Sequence, residues 1–425
     1  MVGVSREQVA LVPTTPRSDL DLLFVLDDSV GGLELQTSWK SAFPSFLNEL
    51  THARDLPNLH IGVVSSDLGT KGTDDAQPGP GVGSGPGSCM DVGKDGALLT
   101  NDTPLVTGSF ISDAKQTDGT RLTNYTGPLA EAFYAISSLG ASGCGFEQPI
   151  EAMKRALDHH PDNAGFLRPD AALAVIVLTD EDDCSFAHAT LLAPDDGTLG
   201  TLQSFRCTRF GVTCDVGGAT PDEMNATGEK SGCHWNEDSP YLTTRARYET
   251  FLAAIKPDPR DVMFAAIAGP PSWVEVKPQR NPGGDTAPAL ASSCTYNAEL
   301  GPRAADPAVR IEELARAVPR GRFESVCSAD LNPAAFAIAR EVRGLLGDAC
   351  LTRDIALPAD CEVTDQTLAG ESALPPCSAD APTDCYQLVE DPACTTSSHL
   401  RVEVTRSAVP PADTMIAVRC RLDGA

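Results

Sequence analysis

The fold is decided by the stretch Asp19-Leu-Asp-Leu-Leu-Phe-Val-Leu-Asp-Asp-Ser-Val-Gly-Gly32. Residues 20–26 are apolar apart from Asp21, and a run of this length is typical of a strand buried on both faces. It ends abruptly in two carboxylates, a hydroxyl group and two glycines. Loops at the carboxyl ends of buried strands are where open α/β sheets bind ligands. The sequence therefore predicts a ligand-binding loop after this first strand.

Further apolar runs alternate with helical patterns along the chain. Strands are predicted at 59–65, 171–179, 262–268 and 322–327, with a sixth candidate at 108–113. Helices are predicted at 39–54, 129–138, 150–157, 245–255, 309–318 and 333–346. Alternation of this kind is typical of an α/β fold with a doubly wound, mostly parallel central sheet flanked by helices.

Composition divides the chain into three parts. Residues 1–18 are expected to be a polar N-terminal tail, and residues 19–347 to form the α/β domain. Glycine- and proline-rich or irregular insertions are predicted within that domain near 68–107, 186–240 and 269–306. Residues 348–425 are expected to form a small disulfide-rich β module, because six cysteines fall among short alternating segments. Six cysteines allow 15 pairings, which the sequence does not rank.

Charge and cysteine content restrict the partners and the compartment. The 425 residues carry a formal net charge of -27, which argues against nucleic acid and anionic lipid surfaces as partners. Fourteen cysteines without a repeated Cys-x-x-Cys pattern predict disulfides and an extracytoplasmic protein. Residues 1–17 contain neither the apolar core of a signal peptide nor a lipid-attachment cysteine, so we expect a mature form given a start Met or a missed true start. No run reaches the ~20 apolar residues of a membrane span, and a membrane link would need a removed or missing N-terminus.

The order of elements from 19 to 346 resembles that of a von Willebrand factor A (VWA) domain. The resemblance is carried by Phe24-Val-Leu-Asp-Asp-Ser29 on the first strand and Ile176-Val-Leu-Thr-Asp180 on the fourth. The runs at 59–67, 143–148 and 178–184 are similar to predicted secreted or lipid-anchored bacterial VWA proteins of the myxobacterial kind. This resemblance covers about three quarters of the chain. It implies a location in the periplasm, on the cell surface through a lipid anchor, or outside the cell.

The resemblance also implies a metal-ion-dependent adhesion site. Asp27, Ser29 and Asp180 would hold a divalent cation (Mg²⁺, Mn²⁺ or Ca²⁺) through hard oxygen atoms. This sequence departs from the family at the third position of the first loop, which is Gly31 where the family has Ser. Water or Glu147 would then fill open coordination positions. A vestigial, metal-free site is the alternative.

Two further departures concern the loops around this site. The threonine that a complete VWA site supplies has no counterpart in this chain, since its position would fall near Gly143 or Cys144. The resemblance places Cys144 and Cys184 at one rim of the sheet, and we predict a disulfide between them. The alternative is that each pairs with an insertion cysteine such as Cys89 or Cys207. The other acids of these loops are expected to be solvated, namely Asp28, Glu181, Asp182 and Asp183.

VWA domains generally bind proteins or surfaces, often through a metal that accepts an acidic group from the partner. The resemblance therefore implies a non-enzymatic extracytoplasmic binding protein with a protein or cell-surface ligand. One alternative is a structural envelope or scaffold protein with a metal-free site. A metal-dependent hydrolase is another, but it would need a nucleophile or a general base beside the cation. The sequence shows no zinc-binding histidine spacing, no Gly-x-Ser-x-Gly elbow and no phosphate-binding loop.

Overall fold

The protein is described here by a computed structural model. It describes residues 6–422 except 281–283, 285, 299, 300, 381 and 382. The strands are β1 Glu7–Pro13, β2 Asp19–Leu26, β3 Asn58–Ser65, β4 Ile111–Lys115, β5 Arg121–Thr123, β6 Ala172–Leu178, β7 Val212–Val216, β8 Gly228–Trp235, β9 Val262–Ala268, β10 Val274–Arg280, β11 Thr286–Leu290, β12 Cys294–Ala298, β13 Gly301–Ala305, β14 Arg320–Ser325, β15 Cys361–Thr367, β16 Gly370–Leu374, β17 Cys385–Glu390, β18 Leu400–Thr405 and β19 Met415–Cys420. The α-helices are α1 Gly32–Leu50, α2 Leu129–Ile136, α3 Pro149–Leu157, α4 Asp196–Leu199, α5 Phe205–Gly211, α6 Pro221–Asn225, α7 Arg245–Ala254, α8 Val309–Ala317 and α9 Asn332–Leu345.

A mixed seven-stranded sheet forms the centre of the fold, in the order β14-β9-β6-β2-β3-β4-β5. The five strands from β14 to β3 are parallel to their neighbours. β4 pairs antiparallel with β3, and β5 pairs antiparallel with β4. All five parallel strands were predicted from sequence, whereas β5 was not. The seven strands and their helices confirm the α/β class, with an antiparallel edge added to the parallel centre.

Strand β2 lies in the middle of this sheet and is covered on both faces. Leu22 and Phe24 pack with α1, α2 and α9, whereas Leu23 and Val25 pack with α3, α7 and α8. Successive side chains of a strand point to opposite faces, so an unbroken apolar run needs a helix layer on each side. Helix α1 begins at Gly32, one to two turns before the predicted start at Trp39, because Leu35 extends its buried stripe toward the loop.

The first strand joins the cysteine-rich module. β1 pairs antiparallel with β19 in a four-stranded sheet of order β1-β19-β15-β16. Residues 9–12 (Val-Ala-Leu-Val) are buried there. The prediction of a polar tail at 1–18 is therefore wrong, because these apolar side chains complete the core of the module around Val363 and Val418.

The second and third insertions build a common sheet. β7 and β8 come from the second insertion and β10 and β11 from the third, and they form one sheet in the order β11-β10-β8-β7. β12 and β13 form a separate hairpin. The prediction of an irregular third insertion is therefore wrong. Residues 68–107 contain isolated bridges but, among the described residues, no helix or full strand, as expected from their glycine and proline content.

All fourteen cysteines are paired in seven disulfides. The pairs are Cys89–Cys144, Cys184–Cys207, Cys214–Cys233, Cys294–Cys327, Cys350–Cys394, Cys361–Cys420 and Cys377–Cys385. The six cysteines after 348 pair among themselves and close the β module. Disulfides in this number are typical of an extracytoplasmic protein. Across the part of the chain that the structure describes, no helix is both long and apolar enough to cross a membrane.

Candidate functional site

Asp27 occupies the carboxyl end of β2, where it is 1% exposed. Its Oδ1 accepts a hydrogen bond from the Ser29 backbone N–H at 2.7 Å. Its Oδ2 accepts one from the Thr179 hydroxyl group at 3.0 Å. Because β2 and β6 run parallel as neighbours, the residues that follow them meet at one edge of the sheet. Asp27 and Ser29 therefore lie together and buried.

Asp180 follows β6 and lies against Asp27. Its Oδ1 is buried and has no hydrogen-bond partner. Burial first, and then the negative charges of Asp27 and Glu181, raise the pKa of the Asp180 carboxyl well above its usual range. A protonated Asp180 donates a hydrogen bond to Asp27, which favours this protonation further. The two carboxyl groups that the sequence predicted as cation ligands are thus neighbours in the structure.

Glu147 brings a third carboxyl group to the same place. It is 1% exposed, and its Oε1 has no hydrogen-bond partner. Burial, followed by the charges of Glu181, Asp27 and Asp180, raises the pKa of Glu147 well above its usual range. Burial and the charges of Asp306 and Asp27 raise the pKa of the neighbouring Glu181 to about 8. We call Asp27, Glu147, Asp180 and Glu181 the acidic cluster.

The donor set of this cluster suits a hard divalent cation in its chemistry. Carboxylate and hydroxyl oxygens are the ligands that Mg²⁺ and Ca²⁺ prefer, and two of these carboxyl groups have an unpartnered buried oxygen. The arrangement is not a closed ligand shell, however. Within the described ranges, no three Asp, Glu, His or Cys side chains are grouped as they would be around a metal ion. A cation here would need a hydroxyl group, water or a small side-chain shift to complete its coordination.

The remaining acids of the two loops are buried rather than solvated. Asp28 is 2% exposed and accepts a hydrogen bond from the Ser65 hydroxyl group at 2.6 Å, and burial raises its pKa to about 7. The Asp182 carboxylate accepts hydrogen bonds from the backbone N–H groups of Arg310 and Ile311 at the start of α8. The Asp183 carboxylate accepts a hydrogen bond from the Arg310 guanidinium at 3.0 Å. The prediction of solvated side chains is wrong for these three residues because each has a specific donor.

Glu181 is likewise not a solvated loop acid. Its side chain is partly buried and contacts Glu147 and Ser204. The loop after β6 is therefore held from both sides, by the donors at the start of α8 and by the acidic cluster. This fixes the backbone from which Asp180 projects.

The loop before α3 differs from the predicted arrangement. Gly143 donates its backbone N–H to the Asp28 carbonyl oxygen at 2.7 Å, and a Cβ at position 143 would collide with the Asp28 side chain. Neither Gly143 nor Cys144 carries a hydroxyl group, and the hydroxyl residue before them, Ser142, is exposed. The predicted Cys144–Cys184 disulfide is wrong, since Cys144 pairs with Cys89 and Cys184 with Cys207. Each insertion supplies its own cysteine, which is the alternative that the sequence left open.

Three further residues of this edge were not assigned from sequence. Thr179 supplies the hydroxyl group on Asp27. Ser66 and Gln148 are buried, and their side-chain polar atoms have no hydrogen-bond partner. They are neighbours, because the Gln148 backbone N–H donates to the Ser66 carbonyl oxygen at 2.9 Å. The sequence offered one signal for these two residues, which is their position. Ser66 directly follows β3, and Gln148 directly follows Glu147.

Comparisons with known proteins find only weak similarity. No family model and no curated protein matches the chain. Among solved structures, the conserved hypothetical protein BatB from Bacteroides thetaiotaomicron is 12% identical at a TM-score of 0.29, over 77% of this chain and 98% of that one. The pilus adhesin SpaC from Lactobacillus rhamnosus GG is 10% identical at a TM-score of 0.31, over 98% of this chain and 43% of that one. The adhesive tip pilin GBS104 from Group B Streptococcus agalactiae is 10% identical at a TM-score of 0.30, over 99% of this chain and 82% of that one. This chain thus spans less than half the length of SpaC.

Proposed function

We propose that the protein is an extracytoplasmic binding protein that uses the acidic cluster to hold a divalent cation and, through it, an acidic group of a protein or cell-surface ligand. The observation that carries this proposal is the pair of buried carboxylate oxygens without a partner, Asp180 Oδ1 and Glu147 Oε1, beside Asp27. Buried polar groups without partners are costly, and buried carboxyl groups side by side repel each other once ionised. A divalent cation would relieve both costs.

Each residue of the site would have its own role in cation binding. Asp27 and Asp180 would ligate the cation directly, Ser29 would supply a hydroxyl oxygen, and Glu147 would close the buried side. Thr179 would hold Asp27 through its hydroxyl group. The cation, when bound, supplies positive charge and an open coordination position for an oxygen of the ligand.

The surface around this edge supports contact with a macromolecule. Val30, between Ser29 and Gly31, exposes 55% of its surface. Met90, next to the Cys89–Cys144 disulfide, exposes 54%. Apolar side chains beside a charged centre can contribute buried area to an interface, while the charge fixes the orientation of the ligand.

Calorimetry with Mg²⁺, Mn²⁺ and Ca²⁺ tests the proposal. The wild-type protein should bind at least one of these ions, and Asp27→Ala and Asp180→Ala should each abolish the binding. Asp170→Ala is the matched control, because Asp170 is exposed and precedes β6, whereas Asp180 follows the same strand at the opposite end. Negligible binding by all four proteins would leave a scaffold with a metal-free site. Cation binding that persists in both variants would show that the cation binds at another site.

A further inference from the structure

A cavity of about 220 Å³ adjoins the acidic cluster, between the loop after β6 and the second and third insertions. Three carboxylates line it, those of Glu181, Asp182 and Asp306, and none of its described lining residues is a lysine, arginine or histidine. Its remaining wall includes the apolar side chains of Phe205 and Leu290. The wall of the cavity therefore combines carboxyl groups with apolar side chains.

Two of the three carboxylates lack a positive partner. Asp182 is satisfied by the backbone N–H groups at the start of α8. Glu181 and Asp306, by contrast, form no salt bridge with any described residue. Asp306 accepts a hydrogen bond from Ser292, and Glu181 contacts Ser204 and Glu147, so the partners of both carboxyl groups are uncharged hydroxyl groups or another acid. A cation entering the cavity would supply the positive partner that both groups lack.

We propose that this cavity receives a basic side chain, lysine or arginine, of a polypeptide ligand. The inference rests on the proposed function, since the same ligand would offer its acidic group to the cation at Asp180. The two sites are joined by a backbone hydrogen bond, which the Asp306 N–H donates to the Asp180 carbonyl oxygen at 2.8 Å. A ligand that carries an acidic and a basic residue close together would engage both.

The shape and lining of the cavity favour an organic cation over a second metal ion. A water molecule takes up about 30 Å³ in the liquid, so the cavity is several times larger than a bare ion needs. Long basic side chains place an alkyl stem along apolar surface and the charged head in a polar site. Phe205, Leu290 and the Cys184–Cys207 disulfide would contact the stem, and Glu181 and Asp306 the head.

The mouth of the cavity is open to such a ligand. Gln279 on β10 is exposed, and Glu181, Ser204 and Leu290 are each partly exposed. The described residues of the second and third insertions therefore leave part of the cavity wall exposed to solvent.

The test uses the full chain and small probes of known charge. N-acetyl-L-lysine amide and N-acetyl-L-arginine amide are titrated at low salt and pH 8 and followed by saturation-transfer NMR, with N-acetyl-L-norleucine amide as the uncharged control. The wild type should bind the two charged probes and not the control. Asp306→Asn and Glu181→Gln should each weaken the binding about tenfold, because one charged hydrogen-bond acceptor is lost. Asp170→Asn should not change it.

Calorimetry with Mg²⁺ on the wild type and on Asp306→Asn separates this inference from the proposed function, because Asp306 lies outside the acidic cluster. Asp306→Asn should leave Mg²⁺ binding unchanged, and its melting temperature shows whether it is folded. Absent or equal binding of the three probes by the wild type would overturn the inference, as would loss of Mg²⁺ binding in Asp306→Asn, which would make the cavity part of the metal site. If the wild type binds the two charged probes but no divalent cation, the proposed function is contradicted and only the pocket for a basic side chain stands.

Discussion

The carboxyl group of Asp180 fills the space that a Cβ at position 31 would need. Gly31 has ordinary right-handed helical dihedral angles, so its role is to leave room and not to adopt an unusual conformation. A Cβ built there would collide with Asp180 Oδ2. Gly31 is therefore coupled to the position of Asp180. Because Gly31 has no side chain, the Asp180 carboxyl group can occupy this space.

Gly31→Ala should therefore weaken cation binding while leaving the fold intact. Alanine is compatible with the backbone at this position, and its methyl group would displace the Asp180 carboxylate. We expect a loss of about 10- to 100-fold in affinity, the usual effect of disturbing the support of a ligand. Calorimetry measures it. Gly145→Ala is the control, because a Cβ there would meet no atom closer than 3.5 Å, and an equal loss in both variants would contradict the coupling.

Arg310 should be essential to the stability of the loop after β6. The Arg310 guanidinium and the carboxylate of its partner Asp183 are fully buried, and the guanidinium carbon Cζ lies 3.8 Å from the Trp235 ring centroid. Arg310→Ala leaves a buried charge without a partner and should cost about 3–5 kcal/mol in free energy of unfolding. The measurement is urea denaturation.

Arg316→Ala on the same helix is the matched control for that measurement. Arg316 is 74% exposed and pairs only with Glu312 four residues earlier, so its loss should cost at most about 1 kcal/mol. Similar costs for the two substitutions would show that Arg310 contributes no more than a surface ion pair.

Non-reducing peptide mapping should recover the seven disulfides described above. The decisive peptides are those of Cys144 and Cys184, which should be linked to Cys89 and Cys207. Their Cα atoms lie 4.4 Å and 5.1 Å from those of their partners, within the range that a disulfide requires. A peptide that links Cys144 to Cys184 would restore the original prediction and contradict the structure.

The sheet of the cysteine-rich module should respond to acid through Glu371. Its carboxylate accepts hydrogen bonds from Thr364 on β15 and from Arg419 on β19. These hydrogen bonds lower the pKa of Glu371 to about 2, and the one from Arg419 has the largest effect. A lowered carboxyl pKa contributes stability above the unfolded value, near 4.3, and loses it as the pH falls toward 2. Glu371→Gln should therefore lower the melting temperature at pH 7 and leave it unchanged near pH 2.

The effect should be small, because Glu371 is largely exposed and solvent screens its interactions. Glu390→Gln, an exposed acid on β17, is the control and should show no difference between the two pH values. A decrease at pH 7 that persists near pH 2 would assign the effect to packing and not to charge.

The buried strands could be predicted because their sequences are continuous apolar runs. The runs at Leu20 and Ala172 need two covering layers, which leaves few alternatives to a central α/β sheet. Short strands such as β5 and β12 contain polar and exposed residues and give no such signal. β1 was missed because its five buried residues lie between polar neighbours, and its partner β19 is remote in sequence.

In the candidate site, too, some contacts could be predicted from the sequence and others could not. Asp27 and Asp180 could be predicted to meet because parallel neighbouring strands bring their carboxyl ends together. The burial of Asp28 and Asp183 could not be predicted, because it depends on Ser65 and Arg310, donors from distant segments. The disulfide partners of Cys144 and Cys184 depend on the path of the insertions, which turn chemistry alone does not determine.

The pairing of β1 with β19 also affects the order of folding. Thr14 donates to the Thr414 carbonyl oxygen across 400 residues of sequence, so the first strand finds its partner only after nearly all of the chain has been synthesised. Contacts this remote in sequence slow folding, because the entropy of loop closure is lost before any contact compensates for it. Until then the apolar run at Val9 stays uncovered and can associate with other chains. A chaperone that shields this segment until β19 has been synthesised should therefore raise the yield of native protein.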